Sequence, residues 1–150
     1  MLEKTISEQL KCALKSRDTV RVSVLRMLIS EMKNKKIADI VKELDDDKII
    51  GIIHKMVRQH KESIEQFKRG NREDLVEKEF EELKILEEFL PEPVTREELE
   101  KIVMEAISQA GAVSLKDMGE VMKSVMDKTG GRADGKEISG LVREKLAGKT

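Results

Sequence analysis

The chain has 150 residues, of which 39% are charged, and its 29 Lys and Arg nearly balance its 30 Asp and Glu. Its aromatic residues are three Phe alone, which excludes a protein that binds single-stranded nucleic acid by stacking bases on aromatic side chains. Cys12 is the only cysteine, which excludes an internal disulfide, and the longest apolar runs fall far short of the roughly 20 residues that span a bilayer. We therefore expect a soluble, cytoplasmic protein without a membrane segment.

The first part of the chain predicts four helices, because apolar residues recur at helical spacing and strand-forming residues are scarce. The apolar residues of the first, second and fourth helices lie within 2–14, 20–32 and 76–90, and the third helix is predicted over residues 45–69; a break near Ser16 and Asp18 separates the first two. The second helix is apolar over a wide arc, which predicts a central place in a bundle. Asn71 followed by Asp74 resembles the start of the fourth helix. The fold class we expect is all-α, with an N-terminal bundle of about four helices.

Two prolines mark the clearest boundary in the sequence. Pro91 and Pro93 each remove a backbone donor and disfavour helix in the residue before them, and the chain has no other proline. We therefore predict two domains, an N-terminal α-helical bundle over residues 1–92 and a small α-helical domain over residues 93–150.

The second domain is predicted to contain three short helices. Thr95 with Glu98 three residues later has the pattern of a capping box and predicts the start of the first. Ser114 with Asp117 opens the second in the same way. The third follows the segment GGRADGKE, residues 130–137.

The segment GGRADGKE fits the pattern G-x-x-x-x-G-K of a nucleotide-binding loop, with Gly130, Gly135 and Lys136 in register. That loop follows a β-strand and has a Ser or Thr hydroxyl after the lysine. Here the preceding residues are helical in pattern, and Glu137 stands in the hydroxyl position. The sequence therefore excludes an NTPase. We interpret the segment as a corner between two helices, in which Asp134 and Glu137 cap the last helix reciprocally.

The residue pattern indicates neither a metal site nor a catalytic site. His54 and His60 are the only histidines and fall on different sides of a helix, so His60 is interpreted as a partly buried core residue. Cys12 has no identifiable histidine partner. The numerous carboxylates, among them Glu81 and Glu82, are interpreted as solvated helix faces. The sequence thus predicts no catalytic residue, no metal and no cofactor.

Basic residues gather in three places, which suits contact with the phosphate backbone of a nucleic acid. The groups are Lys11, Lys15, Arg17, Arg21 and Arg26; Arg58, Lys61, Lys68, Arg69 and Arg72; and Lys116, Lys123, Lys128, Arg132, Lys136, Arg143 and Lys145. Without aromatic side chains for stacking, such contact would follow the shape and backbone of a structured RNA. Solvated helix faces are the simpler interpretation of the same charges, and Met-rich faces that dock a partner are a further one.

Three stretches together resemble the YqeY-like family. They are LKSRDTVRVSVLRMLISEMKNKKI, RQHKESIEQFKRGNREDLVEKEFEELKILEEFLPEPVTREEL and SLKDMGEVMKSVMDKTGGRADGKEISGLVREKL, in matching order and spacing over nearly the whole chain. The resemblance implies a helical N-terminal bundle joined to a small helical tail. That tail is similar to the C-terminal domain of the B subunit of the Asp-tRNA/Glu-tRNA amidotransferase, where it helps to hold tRNA while the amidation and glutamine chemistry lie in other domains.

The resemblance implies an accessory tRNA-binding protein without catalytic residues of its own, with tRNA and components of tRNA aminoacylation or amidation as partners. The motif GRADGKEISGLVREKL makes six residues the candidates for tRNA contact: Arg132, Lys136, Arg143, Lys145, Lys123 and Lys128. Glu120 stands where the family commonly has Lys, which weakens the expectation for that turn. Two alternatives stay open. One is a protein-interaction module with Met- and Leu-rich docking faces, and the other is an amidotransferase-like carbon–nitrogen ligase that uses glutamine as amido donor.

Overall fold

The structure is a computed structural model that describes residues 1–148. Within this range the chain forms seven α-helices and no strand, so the predicted all-α fold is confirmed. The helices are α1 (Leu2–Ser16), α2 (Thr19–Asp39), α3 (Asp46–Arg69), α4 (Glu73–Glu87), α5 (Arg96–Ala110), α6 (Met118–Thr129) and α7 (Gly135–Ala147), and a 3-10 turn covers Leu115–Asp117. None of the helices among these residues combines the length and apolar character needed to cross a membrane.

The chain divides into two compact units, which we call the first unit, Met1–Leu90, and the second unit, from Pro91 onward. Each has its own cluster of buried apolar side chains, built from α1–α4 in the first unit and from α5–α7 in the second. The predicted division into two domains, with a border between residues 92 and 93, stays a prediction, and so does the independent folding of each domain.

Helix α2 packs against α1, α3 and α4 in the first unit, the position that its wide apolar arc predicts. Its Leu25 and Leu28 are fully buried. The helix begins after Asp18, whose carboxylate accepts a hydrogen bond from the Arg21 backbone N–H at 3.1 Å. This bond satisfies one of the donors that every helix start leaves without an intrahelical partner.

Helices α3 and α4 form a helical hairpin, joined through Gly70 and Asn71. Asn71 has φ 54° and makes the reversal, since Asn tolerates the left-handed region better than most residues. The predicted pairing of Asn71 with Asp74 at the start of α4 was wrong. The helix starts at Glu73 without a side-chain cap, and Asp74 instead accepts from the Arg72 guanidinium at 3.3 Å. That hydrogen bond holds the pKa of Asp74 below its usual value.

In the second unit, α5, α6 and α7 pack against one another. Thr95 Oγ1 accepts a hydrogen bond from Glu98 N at 3.1 Å, which is one half of the predicted capping box. Ser114 with Asp117 forms the complete predicted box, at the start of the 3-10 turn that leads into α6. The fully buried side chains at the centre of the unit include Leu99, Val103, Val121, Val125, Ile138, Val142 and Leu146.

Candidate nucleic-acid interface

The corner between α6 and α7 is a tight backbone reversal. Gly130 and Gly131 both have positive φ, 54° and 84°, which side-chain-bearing residues rarely adopt. Asp134 then caps α7, with its carboxylate 3.3 Å from Lys136 N. Helix α6 runs directly into the corner, so the strand that a nucleotide-binding loop requires is replaced by a helix. The predicted helix–helix corner is present, although the cap bond involves Asp134 and not the reciprocal bond expected from Glu137.

Arg132, the first of the six candidates, is hydrogen-bonded to other residues of the second unit. Its Nε donates to the Glu92 carbonyl at 2.9 Å, and its Nη2 lies 3.5 Å from the Glu98 carboxylate. The Arg132 carbonyl in turn accepts from Val94 N at 3.1 Å. These bonds connect the segment before α5 to the α6–α7 corner. The Arg132 guanidinium therefore already has hydrogen-bond partners within the second unit.

Two other candidates lie together on one exposed line of α7. Lys136 and Arg143 are seven residues apart, which separates them by only roughly 20° around a helix. Gly140 lies between them on the same side, and a side chain there would meet no atom within 4 Å. We call Lys136, Gly140 and Arg143 the α7 basic stripe. Two solvated cations flank a stretch of bare backbone, so a large anion can approach the helix closely.

The remaining candidates do not extend this stripe. Lys145 is half-buried and lies about 160° around the helix from Arg143. On α6, Lys123 is exposed, while Lys128 Nζ donates to Gln109 Oε1 at 3.2 Å. The six predicted residues are therefore three kinds of group: an exposed pair on α7, an arginine and a lysine engaged within the unit, and two lysines on other faces.

The α3–α4 hairpin brings together three ionisable groups that the sequence did not connect. His60 Nδ1 on α3 is hydrogen-bonded to Glu79 Oε2 on α4, and Glu82 Oε2 lies 3.7 Å from the same nitrogen. The His60 side chain is only 11% exposed and that of Glu82 only 10%. His60 is thus partly buried, as interpreted from its place on the apolar stripe. Glu82 was wrongly assigned to a solvated face, because α3 covers it.

The residue numbers of His60, Glu79 and Glu82 indicate that these side chains can meet. His60 and Glu82 lie 11 residues on either side of Asn71, the residue that reverses the chain. Residues at equal distances from the turn of a helical hairpin come to the same level, and Glu79 lies one helical turn away from Glu82. The sequence places the turn near Asn71, but local patterns do not show that α3 and α4 pack against each other across it.

A solvent-facing pair contrasts with this buried group in the same unit. The Arg21 guanidinium on α2 holds the Glu88 carboxylate with two hydrogen bonds of 2.7 and 3.1 Å. The hydrogen bond from Arg21 lowers the pKa of Glu88, and the same bond raises the pKa of Arg21. The Glu88 side chain is 49% exposed, so the pair is solvated and its energetic effect is modest.

Comparison with known proteins gives a match over nearly the whole chain. The sequence profile of the family described as Yqey-like protein matches residues 3–146. The chain is also similar to proteins named "Altered inheritance of mitochondria protein 41, mitochondrial". It is 37% identical over 106 residues to that of Kluyveromyces lactis, covering 69% of this chain and 57% of the relative. The corresponding values are 38% over 93 residues for Lachancea thermotolerans (61% and 50%) and 30% over 120 residues for Vanderwaltozyma polyspora (75% and 64%).

Two facts follow from these relatives. The chain spans between half and two thirds of their length. Their names are those of mitochondrial proteins, and this finding contradicts the predicted cytoplasmic location. The prediction rested on a single cysteine and short apolar runs, which suit any reducing aqueous compartment and do not distinguish one from another.

Proposed function

Because the chain belongs to the YqeY-like family, we propose that it is an accessory tRNA-binding protein without catalytic chemistry of its own. In this proposal the second unit contacts the RNA backbone. The single observation that carries it is the α7 basic stripe, in which Lys136 and Arg143 stand exposed on either side of the bare backbone at Gly140. The kinship of this unit with the tail of the tRNA-dependent amidotransferase B subunit belongs to the same proposal.

The position of Lys136 supports an anionic ligand. It is the second residue of α7, where the backbone N–H groups already give the helix a partial positive charge. A lysine at this end gains nothing from the helix dipole, whereas a phosphate oxygen gains from both the ammonium and the N–H groups. Arg143, two turns along the helix, would neutralise a second phosphate.

The composition of the second unit favours backbone contact over base recognition. The three aromatic residues of the chain, Phe67, Phe80 and Phe89, all belong to the first unit. The second unit therefore has no ring on which a base could stack. Contacts made by lysine and arginine to phosphates carry affinity and salt dependence but little sequence information. We expect binding that distinguishes folded RNA from random single strands by shape.

The test compares two double variants of the full chain in a filter-binding titration with tRNA at several salt concentrations. K136A/R143A removes the α7 basic stripe, and K33A/K101A removes two exposed lysines that belong to none of the three basic groups, at the same net charge. We expect K136A/R143A to weaken binding roughly tenfold, since two exposed charge contacts contribute about 0.7 kcal/mol each. The slope of log affinity against log salt should fall by about two. Equal losses in both variants, or wild-type affinity no stronger than for random RNA, would contradict the proposal.

One observation favours the second candidate function, a module that docks a protein. Ile37 and Ile40, at the end of α2, are 76% and 91% exposed, and Val41 follows them. Ile40 also has φ 54°, a strained conformation for a β-branched residue. Exposed aliphatic side chains on a strained turn are typical of contact surfaces. A pulldown that recovers a protein partner after nuclease treatment, and loses it with I37S/I40N, would favour this function over RNA binding.

A further inference from the structure

We propose that His60, Glu79 and Glu82 form a binding site for a divalent first-row transition-metal ion of the Zn²⁺ type between α3 and α4. The site lies in the first unit and is independent of the α7 basic stripe. Each residue offers one ligand atom, a ring nitrogen of His60 and one carboxylate oxygen of each glutamate, and these three atoms lie within 4.8 Å of one another.

The spacing of the donor atoms suits a single ion. Zn²⁺ binds imidazole nitrogen and carboxylate oxygen at about 2.0–2.2 Å, so ligand atoms around one ion are about 3.3 Å apart. Glu82 Oε2 lies 3.7 Å from His60 Nδ1, close to that separation. Glu79 now accepts a hydrogen bond from His60, and a small rotation of its side chain would bring its oxygen to the same separation.

The backbone supports this arrangement from both helices. Glu79 and Glu82 are three residues apart on α4, so their side chains leave the same face of the helix one turn apart. His60 faces them from α3, and the packing of the hairpin holds it in place: Val57 and Ile64, which flank it on α3, are both buried. Neither helix has to change its backbone for the three ligands to converge.

Two carboxylates share one imidazole nitrogen in this group. The Glu82 side chain is nine-tenths buried and lies beside His60 Nδ1, but that nitrogen is already hydrogen-bonded to Glu79. The distance from Glu82 Oε2 to His60 Nδ1 exceeds that of a hydrogen bond. Even with a charged imidazolium, two carboxylates leave one negative charge in excess at a largely dehydrated position. A buried charge of this kind is costly unless it is paired or coordinates a metal.

The donor set selects the class of ion. An imidazole nitrogen suits Zn²⁺, Cu²⁺, Fe²⁺ or Ni²⁺, whereas Mg²⁺, Ca²⁺ and Mn²⁺ prefer oxygen ligands. Three protein ligands leave at least one coordination position of a Zn²⁺ ion for water. Glu79, the most exposed of the three at 21%, places the site next to solvent and gives the ion a way in.

The test titrates Zn²⁺ into the chelator-treated full chain, purified without a histidine tag, in competition with a chromophoric chelator. We expect one Zn²⁺ per chain and at least roughly tenfold weaker binding in E82Q and H60Q, because each removes a ligand. The matched controls are E81Q, which removes an exposed carboxylate next to Glu82, and H54Q, which removes the other histidine. Both controls should bind as the wild-type chain does, and Mg²⁺ at the same concentration should not compete.

A second measurement on the wild-type chain does not depend on the folding of any variant. On addition of Zn²⁺, the imidazole resonances of His60 in the NMR spectrum should shift to those of a metal-bound ring, while those of His54 stay in place. The proposal is overturned if no stoichiometric binding occurs, if E81Q weakens it as much as E82Q, or if the His60 resonances do not respond. In those cases the three residues form an ion-pair group and nothing more.

Discussion

The α3–α4 hairpin and the α6–α7 corner use charged residues in opposite ways. The hairpin turns His60 and Glu82 inward, where both side chains are about nine-tenths buried. The corner turns Lys136 and Arg143 outward into solvent. Inward charges are fixed by packing and are costly when unpaired, so they suit a small cation held in a defined geometry. Outward charges lose little on folding and suit a large polyanion bound through many weak contacts. The same residue types therefore indicate different ligands according to their burial.

The largest expected effect tests whether the two regions belong to separate cores. Ile138 is fully buried in the second unit, and Leu86 is fully buried in the first. Each change to alanine should cost about 3 kcal/mol, from lost apolar burial and the cavity left behind. In amide hydrogen exchange, I138A should lower protection mainly in α5–α7, and L86A mainly in α1–α4. Equal loss of protection throughout the chain in both variants would show a single cooperative core and remove the basis of the comparison.

The next effect concerns the inward charges of the hairpin in metal-free protein. H60A leaves Glu79 and Glu82 together without the imidazole that is hydrogen-bonded to Glu79, so it should destabilise the chain by about 1–3 kcal/mol. E82Q removes the excess negative charge and should be close to neutral or stabilising under the same conditions. Urea unfolding in the presence of EDTA measures both, with H54A as the histidine control. If E82Q lowered the free energy of unfolding more than H60A does, the charge of the Glu82 carboxylate would not be a surplus negative charge.

Arg132 differs from the solvent-facing basic residues of the α6–α7 corner, because its side chain is hydrogen-bonded within the second unit. R132Q removes the hydrogen bond to the Glu92 carbonyl and should destabilise the second unit by about 1 kcal/mol. Its effect on tRNA affinity should be smaller than that of K136A/R143A when both are measured well below the unfolding temperature. A loss of tRNA affinity as large as that of the stripe variant, at unchanged stability, would place Arg132 in the interface.

Much of this architecture follows from the sequence, since apolar spacing predicts the helices, the break near Asp18 separates the first two, and Thr95 and Ser114 predict where two later helical segments start. Caps and periodicity are local, so a single segment contains the information. Burial of Glu82 is different, because it depends on how α3 packs on α4 and not on the residues next to Glu82 in the chain. The bond from Arg132 to Glu92 likewise joins residues 40 positions apart. Contacts of this kind need the register between helices, which local patterns do not supply.

The smallest expected effect separates exposed charge pairs from the buried group of the same unit. Arg21 and Glu88 form a solvated pair, so a double-mutant cycle of R21Q and E88Q should give a coupling of about 0.5 kcal/mol at neutral pH. The pKa of Glu88 is lowered in the folded chain by the hydrogen bond from Arg21. The folded state therefore binds this proton less readily than the unfolded state, and the coupling is fully present above the ordinary pKa of a glutamate.

The coupling should disappear as the pH falls through the lowered pKa of Glu88, because the protonated carboxyl no longer pairs with the guanidinium. Salt at about 1 M should also reduce it, since exposed charges are screened at that ionic strength. Urea unfolding of the four proteins of the cycle at neutral and acid pH provides the measurement. A coupling that persists in acid or in high salt would show that packing holds the pair. Arg21 and Glu88 would then differ from His60 and Glu82 only in how far they are buried.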